Sequence, residues 1–148
     1  MARRPRDPSE KEFWRWYRKS GLYRPFLVPH KIEWEDILRS LFRFRHVAQG
    51  CMLDIGSRNR RYREVFEGRA TNFWALDLFD EAIHRERAVD FYGDGTSLPI
   101  KDASMDAALM TQVLGNIYRF EAALRETARV LRPAGTLILT HNQKCGVY

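Results

Sequence analysis

The feature that most constrains this chain is a change of rhythm at position 51. Upstream, apolar residues recur every three or four positions. Downstream they arrive in short runs, CMLDI, NFWALDL, MDAALMT and TLILT, separated by stretches of helical spacing. Short apolar runs alternating with helical segments predict βαβ units around a parallel sheet, an α/β fold. Five strands are expected, at 51–55, 72–78, 89–92, 105–111 and 136–140, with helices at 61–66, 80–86 and 119–131. The last helix has the clearest pattern. Phe120, Ala123, Leu124, Thr127, Ala128 and Leu131 share one face, and Pro133 and Gly135 follow to stop it.

Upstream, Ser9 and Glu12 have the spacing of a capping box. They precede a short amphipathic helix with Phe13, Trp16 and Tyr17 on one face and Lys11, Arg15, Arg18 and Lys19 largely on the other. Gly21, Pro25 and Pro29 predict a loop. A second helix is expected over 33–47, with Ile37, Leu38, Leu41, Phe42 and Phe44 as its apolar face and Gly50 ending it. The expected organisation is a basic, aromatic helical cap at 1–48 and an α/β domain at 49–148. At 148 residues the chain has the length of a single globular unit.

Charge narrows function only slightly. The first fifty residues hold 12 Lys and Arg against 6 Asp and Glu, while the rest balances at 13 against 13. Such a segment suits nucleic acid, an anionic membrane surface or an acidic substrate, and Trp14, Trp16 and Tyr17 offer rings that stack on bases; a merely solvated basic face explains the charge as simply. Two cysteines, Cys51 and Cys145, make neither a disulfide framework nor a metal site, so a cytoplasmic setting is expected. The charged N-terminus lacks the apolar segment of a signal peptide, and no apolar run approaches the roughly 18 residues of a membrane span.

In an open α/β sheet, ligands bind at the carboxyl ends of the strands. Asp54 and Gly56 close the first expected strand, Asp77 the second, and Asp94 with Gly95 follows the third. Asp77 lies 23 residues beyond Asp54, close to the spacing at which a carboxylate reaches ribose hydroxyls. An isolated Asp after a strand more often caps the next helix or fixes a turn. Three at consecutive strand ends favour one nucleoside-shaped ligand.

The runs MLDIG, WALDL, GDGTSLPIKDASMDAALMTQVLGNI and ALRETARVLRPAGTLILT resemble the class I S-adenosylmethionine-dependent methyltransferases, type 11 in particular, over residues 52–140. The resemblance implies a Rossmann-like, mostly parallel sheet in the order 3-2-1-4-5 with helices on both faces. It also implies S-adenosylmethionine as cofactor. By position, Gly56 and Ser57 would bring backbone close to its methionine part, Asp77 would hold the ribose, Asp94 and Gly95 would lie beside the adenine, and Thr111, Gln112 and Val113 would form the floor beneath the sulfonium, with Asp54, Arg58 and Leu78 also in the expected cofactor site.

This chain departs from the family pattern at several points. Arg58 and Arg60 stand where the family uses glycines to turn tightly beside the ligand; an arginine there fills the pocket, is forced outward, or pairs with the cofactor's carboxylate. Gly115 and Asn116 replace a Glu and a His, leaving Gln112, Tyr118 and His141 as polar residues near the expected pocket. His30, His46 and His84 read as loop or surface residues. The full fold continues past its fifth strand, so TLIL is expected to be an edge that a homodimer contact, the tail HNQKCGVY or a longer natural chain would cover. The leading expectation is a methyltransferase acting on a small-molecule acceptor. The alternatives are a methyltransferase-like binding or scaffolding module without catalysis and, third, a nucleic-acid binder.

Overall fold

A computed structural model of the chain describes residues 8–22, 31–81 and 89–141. In chain order its elements are α1 (Pro8–Lys19), α2 (Lys31–Phe44), β1 (Gly50–Ile55), β2 (Ala70–Asp77), β3 (Phe91–Tyr92), β4 (Met105–Thr111), α3 (Phe120–Val130) and β5 (Leu131–Thr140). Single 3-10 turns occur at Arg45–Val47, Arg63–Phe66 and Leu114–Asn116.

The five strands form one sheet in the order β3-β2-β1-β4-β5, every pair parallel. Successive strand residues face opposite sides, so a parallel strand covered on both faces must be apolar throughout. Met52 and Leu109 point into one core, shared with Phe13 and Tyr17 of α1, Leu38, Leu41 and Phe42 of α2, and Phe66. Leu53, Ile55, Leu76 and Met110 point into the other, closed by Ala123 and Val130 of α3 and by Leu98. Each fully buried large side chain contributes roughly 1.5–3 kcal/mol. The N-terminal helices therefore share their core with the sheet.

Several elements differ from expectation. α1 begins at Pro8, which puts Ser9 inside the first turn. α2 gives way to a 3-10 turn after Phe44, and Gly50 opens β1 instead of ending a helix. At Gly50 φ is +80°, and the next amide, Cys51 N–H, donates to Asp106 Oδ2 at 2.8 Å. The helix expected at 61–66 shrinks to one 3-10 turn because the residues before it are taken up in reverse turns. On α3, Phe120 and Ala128 are exposed and Val130 takes the buried place. β5 starts at Leu131, with an irregular register between the pairs Met105↔Leu131 and Ala107↔Thr136; Pro133 to Gly135 bulge out there, and Ala134 has φ +66°. Most of the helix expected at 80–86, together with His30, His84 and Cys145, lies outside the described residues.

Tyr17 is fully buried and stacked on Phe13 at 5.5 Å, so it cannot stack on a base. Among the described residues no helix is long and apolar enough to cross a membrane.

Candidate functional site

β1 sits centrally, with β2 on one side and β4 on the other. The chain reverses its direction of progress across the sheet there, and the loops after β1 and β4 separate. A cavity of about 490 Å³ opens at this point, within the usual range for small-ligand sites. It is bordered by ten of the residues the sequence places in the cofactor site: Gly56, Ser57, Arg58, Asp77, Leu78, Asp94, Gly95, Thr111, Gln112 and Val113. Asp54, the eleventh, lies beneath it, 1% exposed.

The loop after β1 keeps the path of a glycine turn. Gly56 has φ +73°, and any side chain there would collide with Val113. Arg58 and Arg60 have φ +52° and +53°, in the left-handed region that costs a non-glycine residue roughly 1–2 kcal/mol. Distant groups hold that geometry. Gly56 and Ser57 N–H donate to Leu76 O, and Arg58 N–H donates to Asp77 Oδ2 at 2.7 Å. Arg60 turns away from the cavity: its Nη2 donates to Asp90 Oδ1 at 2.6 Å, while Asp90 Oδ2 accepts from Ala75 N–H of β2. Arg61 donates through Nε to Asn59 Oδ1, and its guanidinium carbon lies 5.4 Å from the Trp34 ring centre. Tyr62 stacks on the same indole at 5.6 Å. Arg58 alone of these arginines is exposed at the cavity's border.

Beneath the loop, burial pushes the Asp54 carboxyl up to about 7; the nearby Asp77 charge adds to this, while the Ser57 hydrogen bond and Arg61 oppose it. Burial likewise pushes Tyr62 up to about 12. Three buried polar atoms at or beneath the cavity have no hydrogen-bond partner among the described residues: Asp54 Oδ2, Thr111 Oγ1 and Trp34 Nε1. Buried polar groups are nearly always paired, because leaving one unpaired costs about 1–3 kcal/mol. A bound ligand with donors and acceptors is the natural partner.

The opposite wall comes from the loops after β3 and β4. Asp94 Oδ1 accepts from the Thr96 N–H at 2.8 Å and hydroxyl at 2.9 Å, which holds its carboxyl below the usual range. Gln112 has φ +59°; its N–H donates to Thr140 O and its amide to Thr140 Oγ1. A side chain at Gly115 would meet His141 Cε1 at 2.9 Å, so the missing Glu makes room for that imidazole. Tyr118 is fully exposed and does not border the cavity. The sequence reading missed Trp34, Ile37, Arg61 and Ile117, all on its border. Trp34, Ile37, Leu38 and Leu41 do recur at helical spacing, a signal that α2 presents a wide inner face.

The family model described as methyltransferase domain matches residues 53–139, and the chain belongs to that family, type 11 of the class I S-adenosylmethionine-dependent methyltransferases. A demethylmenaquinone methyltransferase of Mycobacterium marinum is 43% identical over 56 residues, covering 38% of this chain and 24% of the relative. A ubiquinone/menaquinone biosynthesis C-methyltransferase of Methylobacterium nodulans is 32% identical over 118 residues, covering 71% of this chain and 47% of the relative. Among solved structures, the [4+2]-cyclase SpnF superposes with TM-score 0.55 at 29% identity, covering 71% of this chain and 44% of that one. The chain thus spans between a quarter and a half of the length of these relatives.

Proposed function

We propose that the chain binds S-adenosylmethionine in this cavity and transfers its methyl group to a small, largely apolar acceptor. The observation that carries the reading is the set of unpartnered buried atoms, Asp54 Oδ2 and Thr111 Oγ1, at the ends of the central strands beside the Asp77 carboxylate. The cofactor would supply a methyl group already activated on a sulfonium. Asp77 suits the ribose. Each of its oxygens accepts one backbone N–H, from Arg58 and Leu78, and a carboxylate has about four acceptor positions, so two remain for a vicinal diol. Asp94 and Gly95 form the wall for the adenine. Thr111 and Gln112 form the floor, and Trp34, Ile37, Val113 and Ile117 line the cavity with apolar surface that excludes water and favours alignment of the reacting groups.

Titration calorimetry with S-adenosylhomocysteine tests the cofactor. Binding in the micromolar range is expected, and no heat at high micromolar ligand rejects the reading. The names of two relatives make a demethylated quinone the first acceptor to try. The 29% identity to a protein named for cyclisation supports a second reading, in which the fold holds the ligand without methyl transfer. Binding without formation of S-adenosylhomocysteine from S-adenosylmethionine across an acceptor panel would favour it.

The homodimer proposal rests on β5, an end strand of the sheet whose Leu139 is 41% exposed. Leu139→Lys is the cleaner probe, because Leu137 packs partly into the core. A folded variant that elutes unchanged from size exclusion would remove the proposal.

A further inference from the structure

We infer that the outer face of α1 docks on an anionic lipid surface, with Lys11, Arg15, Arg18 and Lys19 reaching the headgroup phosphates. The inference is independent of the cofactor reading. It concerns a helix outside residues 53–139, the stretch that the family model matches.

With 3.6 residues to a turn, Lys11, Arg15, Arg18 and Lys19 fall in a stripe about 100° wide, centred opposite Phe13 and Tyr17. Those two rings are buried in the core that the helices share with the sheet, so packing fixes which way the stripe points. All four cations are exposed. Their charges are also uncommitted. Among the described residues Arg39, Arg45, Arg60, Arg129 and Arg132 form salt bridges, and none reaches Lys11, Arg15, Arg18 or Lys19. Of the two glutamates on the helix, Glu12 accepts from Arg45 at 3.0 Å, and Glu10 lies in the first turn, where the helix N-terminus balances its charge.

Two other anionic partners do not fit this face. A single-stranded nucleic acid needs aromatic faces open for stacking. Here Trp14 meets Phe13 and Tyr17 edge to face, with the Arg39 guanidinium carbon 5.3 Å from its ring centre, and Trp16 packs on Phe42 at 5.0 Å. A protein partner needs apolar or aromatic anchors at the centre of the contact. Among the described residues no exposed large hydrophobic lies on α1. Bare cations without anchors suit a continuous layer of phosphates, each basic residue near such a surface strengthening the attraction about fivefold. The lack of exposed apolar side chains also keeps α1 at headgroup level, outside the acyl layer. Phe13 of α1 packs on Phe42 of α2, the helix whose Trp34 and Ile37 border the cavity, so the docking face lies one helix away from the site.

The test is co-sedimentation of the full chain with vesicles of one-third phosphatidylglycerol in phosphatidylcholine, against vesicles of phosphatidylcholine alone. Binding to the charged vesicles only is expected at about 50 mM salt, with release at about 500 mM. Lys11→Gln with Arg15→Gln should weaken it roughly 20-fold, and since both side chains point away from the core the double variant should stay folded. Lys101→Gln with Arg125→Gln removes the same charge from exposed positions at and near α3, and should weaken binding less than about threefold. Wild-type protein that ignores the charged vesicles, equal binding to both kinds, or equal losses in the two double variants overturns the inference. If an oligouridine of about 20 nucleotides binds more tightly than the vesicles, and only the α1 variant loses it, the face belongs to nucleic acid and the inference falls. Should the α1 variant fail to fold, Arg18→Gln with Lys19→Gln, at the other end of the stripe, carries the same expectation and the same power to overturn it. Among the described residues bordering the cofactor cavity none belongs to α1, so failure here leaves the cofactor reading standing, and failure of cofactor calorimetry leaves this one.

Discussion

The loops after β1 and β3 border the same cavity and differ in how far away their side-chain partners lie. The loop after β3 holds itself: Asp94 bonds the Thr96 amide and hydroxyl two residues on, and an isolated bridge pairs Asp94 with Ser97. The loop after β1 has one local side-chain brace, Ser57 Oγ accepting the Arg60 amide, and its other side-chain partners lie at a distance. Asp77 lies 19 residues from the Arg58 amide it accepts, Asp90 lies 30 from Arg60, and Trp34 belongs to a helix that precedes the whole sheet. A local turn tolerates change around it. A loop held by remote partners can carry two left-handed arginines only while those partners remain.

The largest expected effect follows from removing the group that braces the loop and, in the proposed complex, also holds the ligand. Asp77→Ala deprives the Arg58 and Leu78 amides of their acceptor and removes the ribose carboxylate, so S-adenosylhomocysteine affinity should fall about 100-fold or more by calorimetry. A loss under about threefold would mean that Asp77 only braces the loop.

Next comes a pH dependence. In the folded chain Asp54 holds its proton up to about pH 7, well above its ordinary 3.8. Its folded value is raised, so its ionisation disfavours the folded state progressively as pH rises from 3.8 to about 7, and the effect is complete above that. In the proposed complex an ionised carboxylate beneath the cavity favours the ligand's ammonium, so S-adenosylhomocysteine should bind about tenfold more tightly at pH 8 than at pH 6. The groups recorded around Asp54 are Ser57, Asp77, Arg61 and, through its own shift, Tyr62. Asp54→Asn should flatten the profile; a profile unchanged by it assigns the dependence elsewhere.

Asp90→Asn tests remote bracing without touching the cavity. It weakens the Arg60 ion pair and the acceptor of the Ala75 amide, for about 1–2 kcal/mol in urea unfolding. Asp94→Ala, the local counterpart, should cost about 1 kcal/mol or less, since the turn is short and exposed. Equal losses at the two sites would erase the distinction between the loops. The smallest effect is expected for Arg58→Gly, which relieves a positive φ and should stabilise the fold by about 0.5–1 kcal/mol with little change in affinity. A marked fall in affinity would place the Arg58 side chain in the site.

Much of this was legible in the sequence. The apolar runs located four strands and the expected strand at 89–92 contains the fifth, and MLDIG, WALDL and GDG marked positions that converge on the cavity, because strand ends of a parallel sheet open at one edge whatever the loops contain. Strand lengths were less legible. β3 is two residues and β5 absorbs Pro133 to Gly135, since pairing with β4 outweighs the local stop signal.

The arginine loop shows where sequence reading ends. Arg58, Arg60 and Arg61 are equivalent as letters, three cations within four positions, and the family's pattern puts glycines where Arg58 and Arg60 stand. Local sequence determined that a turn follows β1 and that the strands on either side of it are apolar, because those are consequences of short-range periodicity. Tertiary structure decided the rest: Asp90 draws one arginine out of the cavity, Trp34 holds another at its wall, and the third faces solvent. Those partners lie on other elements, and only the packed sheet brings them within reach of the loop.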